Sequence, residues 1–283
     1  MYPFKSAVCM IVKNEEYRIK EWICYHKGLG FDSIIIFDNN STDRTRNEIE
    51  KISKFMDVRY HIWENNEYFY QIDAYNSCIS TYRDEFRWIA FIDSDEFIVP
   101  KHDENINGFL QKYTDYDALV LNWAMFGSSG HITPPKGLVI ESFTRRSNEH
   151  FFNARHVKTI LNPTKTKHCI NPHVFEIDGQ TVNVHCKEPE WEKAGIVSYI
   201  PIYDECQINH YYTKSRNEWI RKIQRGYPDM DTSAFDDEKI LEGFRYADLN
   251  DVEDLSALRF LKKTKNIIFS VDTLSGLLPE ITG

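Results

Sequence analysis

The sequence predicts an α/β protein in which a mostly parallel sheet is flanked by helices. Two observations support this prediction. In the first half of the chain, short apolar runs alternate with segments whose apolar residues recur every three or four positions. The runs are typical of strands buried on both faces, and the second pattern is typical of amphipathic helices. Strands that alternate with helices favour right-handed crossovers and parallel pairing.

The first elements are a strand, a helix and a second strand. Residues 7–12 (AVCMIV) form a continuous apolar run. The apolar residues from 19 to 29 follow helical spacing, and Gly28 and Gly30 can end that helix. Residues 33–37 (SIIIF) form the second strand, and the polar stretch 38–43 that follows is rich in helix-capping residue types.

The same alternation continues to residue 126 and then weakens. Beyond that point short strands mix with Pro- and Gly-containing loops, until a helical pattern begins at Ser215 and predicts two or three helices in the last fifty residues. Between residues 44 and 126 the predicted elements are a helix through Ile49 and Ile52, a strand at 58–62, a helix over 72–86, a strand at 88–92 (WIAFI) and a strand at 118–126.

The composition excludes some classes of protein. The chain has 283 residues, enough for one large domain or two small ones. Its net charge of −9 argues against a general nucleic-acid binder, which is basic. No apolar run approaches the roughly 20 residues of a membrane span, and we expect no signal peptide. The six cysteines form no CxxC pair, which predicts reduced thiols and a cytoplasmic location.

The charge is unevenly distributed along the chain. Residues 1–143 carry a net charge of −7, residues 144–225 carry +4, and residues 226–283 carry −6. The basic middle is therefore where we expect a phosphate-bearing ligand, and an anionic or lipid-linked acceptor would suit it as well.

Polar clusters follow three of the predicted strands, at 13–15 (KNE), 38–40 (DNN) and 93–96 (DSDE). Ligands of parallel α/β sheets bind at the carboxyl ends of the strands, so these clusters predict a binding site. The chain has no glycine before position 28. A GxGxxG dinucleotide motif or a P-loop after the first strand is therefore excluded.

Asp93 and Asp95 are the strongest candidates for chemistry. Carboxylates two residues apart point to one side of an extended backbone. Their oxygens suit Mg²⁺ or Mn²⁺, which complete their shells with water and substrate phosphates and stabilise a departing diphosphate. A solvated acidic turn is the alternative interpretation. A second, weaker metal hypothesis is a zinc site, although the spacing is not that of a familiar zinc finger. Its ligands would come from His168, Cys169, His173, His185 and Cys186.

The ordered set of motifs resembles glycosyltransferase family 92, a GT-A type relative of glycosyltransferase family 2. The resemblance implies a GT-A domain over residues 1–226, with a nucleotide-sugar half (1–126) and an acceptor half (127–226). A C-terminal helical extension (227–283) lies outside the resemblance. The motifs are KNE (13–15), EW (21–22), YH (25–26), Gly30, DNNSTD (38–43), WIAFIDSDEF (88–97), WAMFGSSGH (123–131), Lys158, PH (172–173), NHYYTKS (209–215), Lys222 and RG (225–226).

The resemblance also implies an activity and residues for it. It implies an inverting transfer from a UDP-sugar donor, with galactose favoured, to a glycan or glycolipid acceptor, with Mn²⁺ or Mg²⁺ as cofactor. Asp93, Asp95 and His210 are the implied metal ligands, and Glu96 would orient them. Asp38 could instead close an Asx turn, and His210 could be a core or loop histidine. The implied donor-binding residues are Lys13, Asn14, Asp38, Gln71, Asn76, Asp93, Lys214, Lys222 and Arg225.

Inversion requires a general base near the acceptor hydroxyl. His131 closes the Gly-rich loop that follows a predicted strand. We expect His131 and Glu141 to be the catalytic candidates. His173 and residues 204–205 are alternatives. Trp123 could stack on a sugar ring or belong to the core.

The sequence therefore predicts a metal-dependent glycosyltransferase, with surface polysaccharide or lipopolysaccharide synthesis as its setting in a bacterial source. A cytoplasmic location allows peripheral association with the inner face of the membrane. Two alternatives stay open. One is a catalytically silent sugar-nucleotide or glycan-binding protein of the same fold, and the other is a transferase that uses another donor sugar. Residues 227–283 could dock a partner, a membrane surface or a second copy of the chain.

Overall fold

A computed structural model describes residues 4–65, 69–226 and 235–277. The strands are β1 (Ser6–Val12), β2 (Ser33–Asp38), β3 (Val58–Ile62), β4 (Trp88–Phe91), β5 (Glu96–Pro100), β6 (Ala118–Met125), β7 (Arg145–Arg146), β8 (Val157–Leu161), β9 (Thr166–Asn171), β10 (Val174–Ile177), β11 (Thr181–Val182), β12 (Trp191–Lys193), β13 (Ile196–Val197), β14 (Cys206–His210) and β15 (Val252–Glu253). The helices are α1 (Ile19–Leu29), α2 (Thr45–Ser53), α3 (Tyr70–Thr81), α4 (Ile106–Leu110), α5 (Val139–Ser142), α6 (Arg216–Arg225), α7 (Asp237–Ala247) and α8 (Leu261–Leu277).

A nine-stranded sheet forms the centre of the described structure. Its order is β3-β2-β1-β4-β8-β6-β14-β5, with β11 paired to β6. The first four strands are parallel, as are β6, β11 and β14, whereas β8 runs antiparallel to both its neighbours and β5 antiparallel to β14. Seven strands therefore share one direction. The predicted α/β fold, with helices flanking a mostly parallel sheet, is confirmed.

The sheet is covered on both faces, which explains its continuous apolar strands. Val8 and Met10 of β1 belong to one core cluster together with residues of α1 and α2. Ala7 and Cys9 of the same strand belong to a second cluster with residues of α3. Because side chains alternate along a strand, a strand buried on both sides needs an apolar residue at every position.

Two elements differ from the predictions. Helix α3 ends at Thr81 rather than near 86, although Tyr82 and Phe86 beyond its end remain buried. The helical spacing of apolar residues in the sequence therefore extends past the end of the helix in the structure. Strand β5 was not predicted, because its apolar residues follow the acidic cluster without a turn signal. It pairs with β14 at the edge of the sheet.

The C-terminal helices pack onto the rest of the protein. Trp219 and Ile223 of α6 form a small core cluster with Ile240 and Ala247 of α7. Helix α8 lies against α1, where the Lys20 ammonium is 2.6 Å from a carboxylate oxygen of Asp272. β15 pairs with β7. The predicted C-terminal helices are confirmed. Within the described ranges, every helix is too short or too polar to cross a lipid bilayer.

Candidate functional site

A cavity of about 830 Å³ lies at the carboxyl ends of the central strands. Lys13 follows β1, Asn39 follows β2, and Asp93 and Asp95 follow β4, and all four line the cavity. His210, the last residue of β14, lines it from the other half of the sheet. The polar clusters that follow the strands therefore converge here, as the parallel arrangement predicts.

The acidic turn is held by its own backbone and by two buried side chains. The Asp93 amide donates to a carboxylate oxygen of Glu96 (2.9 Å), and the Glu96 amide donates to the Asp93 carbonyl oxygen (3.1 Å). The indole Nε1 of Trp22 donates to the carbonyl oxygens of both residues. Glu96 is fully buried, so its carboxyl group organises the turn from inside rather than facing the cavity.

Asp93 is paired with a buried lysine. The Lys158 ammonium, on a side chain only 1% exposed, lies 2.8 Å from Asp93 Oδ2 and also donates to the Pro172 carbonyl oxygen. Gln71 Nε2 donates to Asp93 Oδ1 (3.0 Å). Burial raises the pKa of the Asp93 carboxyl, but the charge and hydrogen bond of Lys158, together with the charge of His210, leave that pKa lowered. Asp93 is therefore an ionised carboxylate with both oxygens engaged.

Asp95 is paired with a second lysine and with a histidine. The Lys222 ammonium lies 2.8 Å from Asp95 Oδ2, and His210 Nε2 lies 3.4 Å from Asp95 Oδ1. Burial would raise the pKa of Asp95, yet the positive charge of Lys222 and the hydrogen bond from His210 hold it well below its usual range. Burial lowers the pKa of His210, which favours its neutral, metal-ligating form.

The donor set fits a hard divalent cation at Asp95 and His210. Mg²⁺ is usually held by one or two carboxylates, several waters and substrate phosphates. His210 Nδ1 and Glu96 Oε1 are buried and lie 3.9 Å apart, and neither has a hydrogen-bond partner among the residues that the structure describes. A carboxylate beside the second ring nitrogen is the usual way to orient a metal-binding imidazole.

A ready-made cluster of three or more His, Cys, Asp or Glu ligands is absent from the part of the chain that the structure describes. Asp93, Asp95 and His210 all line the cavity, but Asp93 is committed to Lys158. The zinc hypothesis gains no support either, because its residues are engaged apart: His168 faces Glu176 and His185 faces Asp204.

The eight other predicted donor-binding residues divide into four that line the cavity and four that do not. Gln71, Lys222, Arg225 and Lys13 line the cavity. Arg225 Nη1 donates to the Lys13 carbonyl oxygen (2.7 Å) and lies 2.7 Å from Glu15 Oε1, which joins the end of α6 to the loop after β1.

The remaining four engage neighbouring structure instead of the cavity wall. Asp38 accepts from the Ser41 amide (2.9 Å), three residues along the chain, and also from the Tyr60 hydroxyl. Asn14 Oδ1 accepts from the Thr42 amide, and Asn76 Oδ1 from the Cys169 amide. The Lys214 ammonium lies 4.0 Å from Glu15 Oε2. Donor binding by these residues stays a prediction.

The two catalytic candidates do not line the cavity. His131 Nε2 bonds the Ser142 carbonyl oxygen (3.1 Å), and Glu141 is 2.6 Å from the Lys265 ammonium. Their spacing in the sequence revealed the loop but not the direction of the side chains. Among the alternatives, His173 does line the cavity. Its Nδ1 lies 2.8 Å from the Val157 carbonyl oxygen, which can only accept, so Nδ1 carries the proton and Nε2 is left as an acceptor.

Three residues of the site have positions or contacts that the sequence did not predict. Lys158 entered only as part of the family resemblance, although a lone lysine inside the apolar run VKTIL is itself a signal of a buried charge pair. Trp123 stacks on His156 (4.8 Å between ring centroids) and lies 4.3 Å from the His210 ring. Tyr246 of α7 reaches the cavity wall from the C-terminal segment, which no local signal predicts.

A sequence model of glycosyltransferase family 92 matches residues 4–244. A glycosyltransferase family 92 protein of Arabidopsis thaliana is 29% identical over 170 residues, covering 56% of this chain and 28% of that protein. One from Oryza sativa subsp. japonica is 30% identical over 150 residues, covering 50% and 24%. The chain thus spans about a quarter of the length of the curated relatives it matches. A crystal structure of S. aureus TarS 1–349 covers 98% of this chain and 75% of that one, with 16% identity and a TM-score of 0.42.

Proposed function

Because the chain belongs to glycosyltransferase family 92, we propose that it is a metal-dependent, inverting transferase that moves a sugar from a UDP-sugar to a glycan acceptor. UDP-galactose is the favoured donor. The observation that carries the proposal is the convergence of Asp95, His210 and Lys222 on one cavity at the carboxyl ends of the strands. These residues come from three separate elements, so their meeting is a property of the fold.

The charges around the cavity suit a nucleoside diphosphate. Lys13, Lys158, Lys222 and Arg225 line it, against the two carboxylates of the acidic turn. Lys222 and Arg225 are three residues apart on α6 and therefore share one face of that helix. Cations fixed in a partly buried wall interact with phosphate oxygens more strongly than cations in water do.

The proposed reaction is a single displacement. The acceptor hydroxyl oxygen forms a bond to the anomeric carbon, and the bond from that carbon to the diphosphate oxygen breaks, so UDP leaves with the electron pair. Lys222 and Arg225 offset the charge that develops on the diphosphate. Mn²⁺ or Mg²⁺, held by Asp95 and His210, would supply Lewis-acid stabilisation of the same leaving group.

The hydroxyl proton must pass to a base. His131 and Glu141 remain predictions for that role, and the cavity wall also offers His173 Nε2 as a hydrogen-bond acceptor for the hydroxyl. We further propose a glycan or glycolipid acceptor and a cytoplasmic location with peripheral membrane association. The basic middle of the chain, net +4 over residues 144–225, supports an anionic acceptor.

The test is a donor panel with purified protein, Mn²⁺ and UDP-galactose, UDP-glucose or UDP-N-acetylglucosamine, in which released UDP is measured with and without saccharide acceptors. We expect turnover with one donor and a loss of about 100-fold or more in Asp95→Asn, because that change removes a metal-binding carboxylate. Asp115→Asn, which neutralises an exposed carboxylate outside the cavity, serves as the control and should retain activity.

Three outcomes are distinguishable. UDP-sugar binding without turnover on any acceptor would favour the silent binding protein of the same fold. Turnover with a sugar other than galactose would keep the reaction and correct the donor. Absence of both binding and turnover, or an Asp95→Asn variant as active as Asp115→Asn, would overturn the proposal.

A further inference from the structure

The two lysines of the acidic turn are held very differently. Lys158 projects from the middle of β8, is 1% exposed, and contacts the Pro172 carbonyl oxygen (3.3 Å) and Glu96 (3.8 Å) as well as Asp93. Moving its ammonium would leave a charge in the core without partners, which is strongly unfavourable. Lys158 is therefore a permanent partner of Asp93.

Lys222 belongs to a helix at the cavity wall. Its side chain is 16% exposed, and its ammonium lies 2.8 Å from Asp95 Oδ2, 3.2 Å from the Tyr212 carbonyl oxygen and 4.2 Å from the centre of the Tyr212 ring. A lysine has four rotatable methylenes and a charge that tolerates any oxygen partner. This ammonium can turn toward the cavity without leaving the wall.

The ion pairs also balance the local charge. Among the described residues, Asp93 faces Lys158 and Asp95 faces Lys222, one lysine for each of the two aspartates. Lys222 contacts one carboxylate oxygen of Asp95. The same carboxylate, together with His210, fits a divalent cation. A divalent cation that binds there alone would add two positive charges beside an ammonium only a few ångströms away. A cation that arrives with a diphosphate brings compensating negative charge.

We propose that Lys222 is an exchangeable counter-ion: it neutralises Asp95 in the free protein and transfers to the donor diphosphate when cation and nucleotide bind together. The inference rests on the proposed function for the identity of the diphosphate. Its consequence is thermodynamic. Because Lys222 opposes the cation alone but favours the cation–diphosphate pair, the two ligands bind cooperatively, and linkage makes that coupling reciprocal.

The experiment measures Mn²⁺ affinity directly, from the electron paramagnetic resonance signal of free Mn²⁺, with and without UDP. In the wild-type protein, UDP should tighten Mn²⁺ binding about tenfold or more. Lys222→Gln should tighten Mn²⁺ binding in the absence of UDP by about tenfold, because a carboxylate loses its competing ammonium. The same variant should weaken UDP binding at saturating Mn²⁺ by a similar factor. Lys222→Gln should thus strengthen the binding of Mn²⁺ alone and weaken the binding of UDP.

Two further variants isolate the cause. Arg221→Gln removes a positive charge from the exposed side of the same helix and should change both affinities less than twofold. Lys222→Arg keeps the charge and should bind Mn²⁺ alone as weakly as the wild type does. Circular dichroism confirms that each variant is folded.

The exchange is overturned if Lys222→Gln binds Mn²⁺ alone no more tightly than Arg221→Gln does. A wild-type protein in which UDP leaves the Mn²⁺ affinity unchanged also overturns it, whether or not the variants fold. Because the first measurement needs neither nucleotide nor turnover, its failure is distinct from failure of the proposed transferase activity, which the donor panel detects.

Discussion

Replacement of Lys158 by methionine should test whether the buried pair with Asp93 is a structural element of the site. Methionine keeps the length and apolar stem of lysine but removes the ammonium. The Asp93 carboxylate would then lie beside Asp95 and Glu96 with its main positive partner gone. We expect a clear loss of stability, because a charge left unpaired in the interior is costly.

The magnitude follows from the geometry. At the 2.8 Å separation of Nζ and Oδ2, two unit charges attract by about 6 kcal/mol at an effective dielectric constant of about 20. Much of that attraction offsets the burial of the charges, and removal of one partner of a buried pair typically costs about 3–5 kcal/mol. The Asp93 side chain is 33% exposed, so water can partly replace the lysine. We therefore expect about 3 kcal/mol, or a fall in Tm of about 6 °C.

The assay is a double-mutant cycle in urea, with Lys158→Met, Asp93→Asn and the double variant. The double variant should be more stable than the sum of the single losses predicts, by about 2 kcal/mol, because it contains no unpaired charge. Lys193→Met, at an exposed position of β12, is the control and should lose less than about 0.5 kcal/mol. Additive effects of Lys158→Met and Asp93→Asn would refute the claim that this pair organises the site.

Two further predictions concern stability. Burial raises the pKa of Glu21 to about 7 from an ordinary value of 4.5. The protonated carboxyl group therefore contributes fully to stability below pH 4.5, and about 3 kcal/mol of stability is lost as pH rises through 7. In urea unfolding, Glu21→Gln should therefore lose less stability between pH 5 and pH 8 than the wild-type protein does. Equal losses in the two proteins would contradict this prediction. In Gly127→Ala, the new Cβ would overlap the Leu249 carbonyl oxygen and lie 2.6 Å from Asn250 Oδ1, at a cost of about 2 kcal/mol, while Gly276→Ala has open space and should cost nothing measurable. Calorimetric Tm values that fall equally in both would contradict the clash.

The part of the fold that depends on local pattern was predictable from the sequence. Strand β1 reads as six consecutive apolar residues, and α1 follows helical spacing and ends at Gly30, which adopts the left-handed conformation that glycine favours. The acidic turn after β4 was predictable for the same reason, since parallel strands present their carboxyl ends to one edge of the sheet.

His131 and Glu141 show what local sequence pattern leaves undecided. Each was placed in a plausible loop or turn, but the direction of a side chain depends on its tertiary partners, here the Ser142 carbonyl oxygen and Lys265. Residues 227–283 had no assigned place beside the site, yet α7 packs on α6 and carries Tyr246 to the cavity wall.

The sequence by itself determined the α/β class, the family and the position of the acidic turn, because apolar periodicity and short ordered motifs are properties of neighbouring residues. Only the tertiary structure decided which cation faces which carboxylate. Lys158 lies 65 residues from Asp93, and Lys222 lies 127 residues from Asp95. Such pairs form because the sheet and α6 bring distant segments together, and no local pattern encodes that distance. The distinction between a permanent and an exchangeable lysine therefore belongs to the fold.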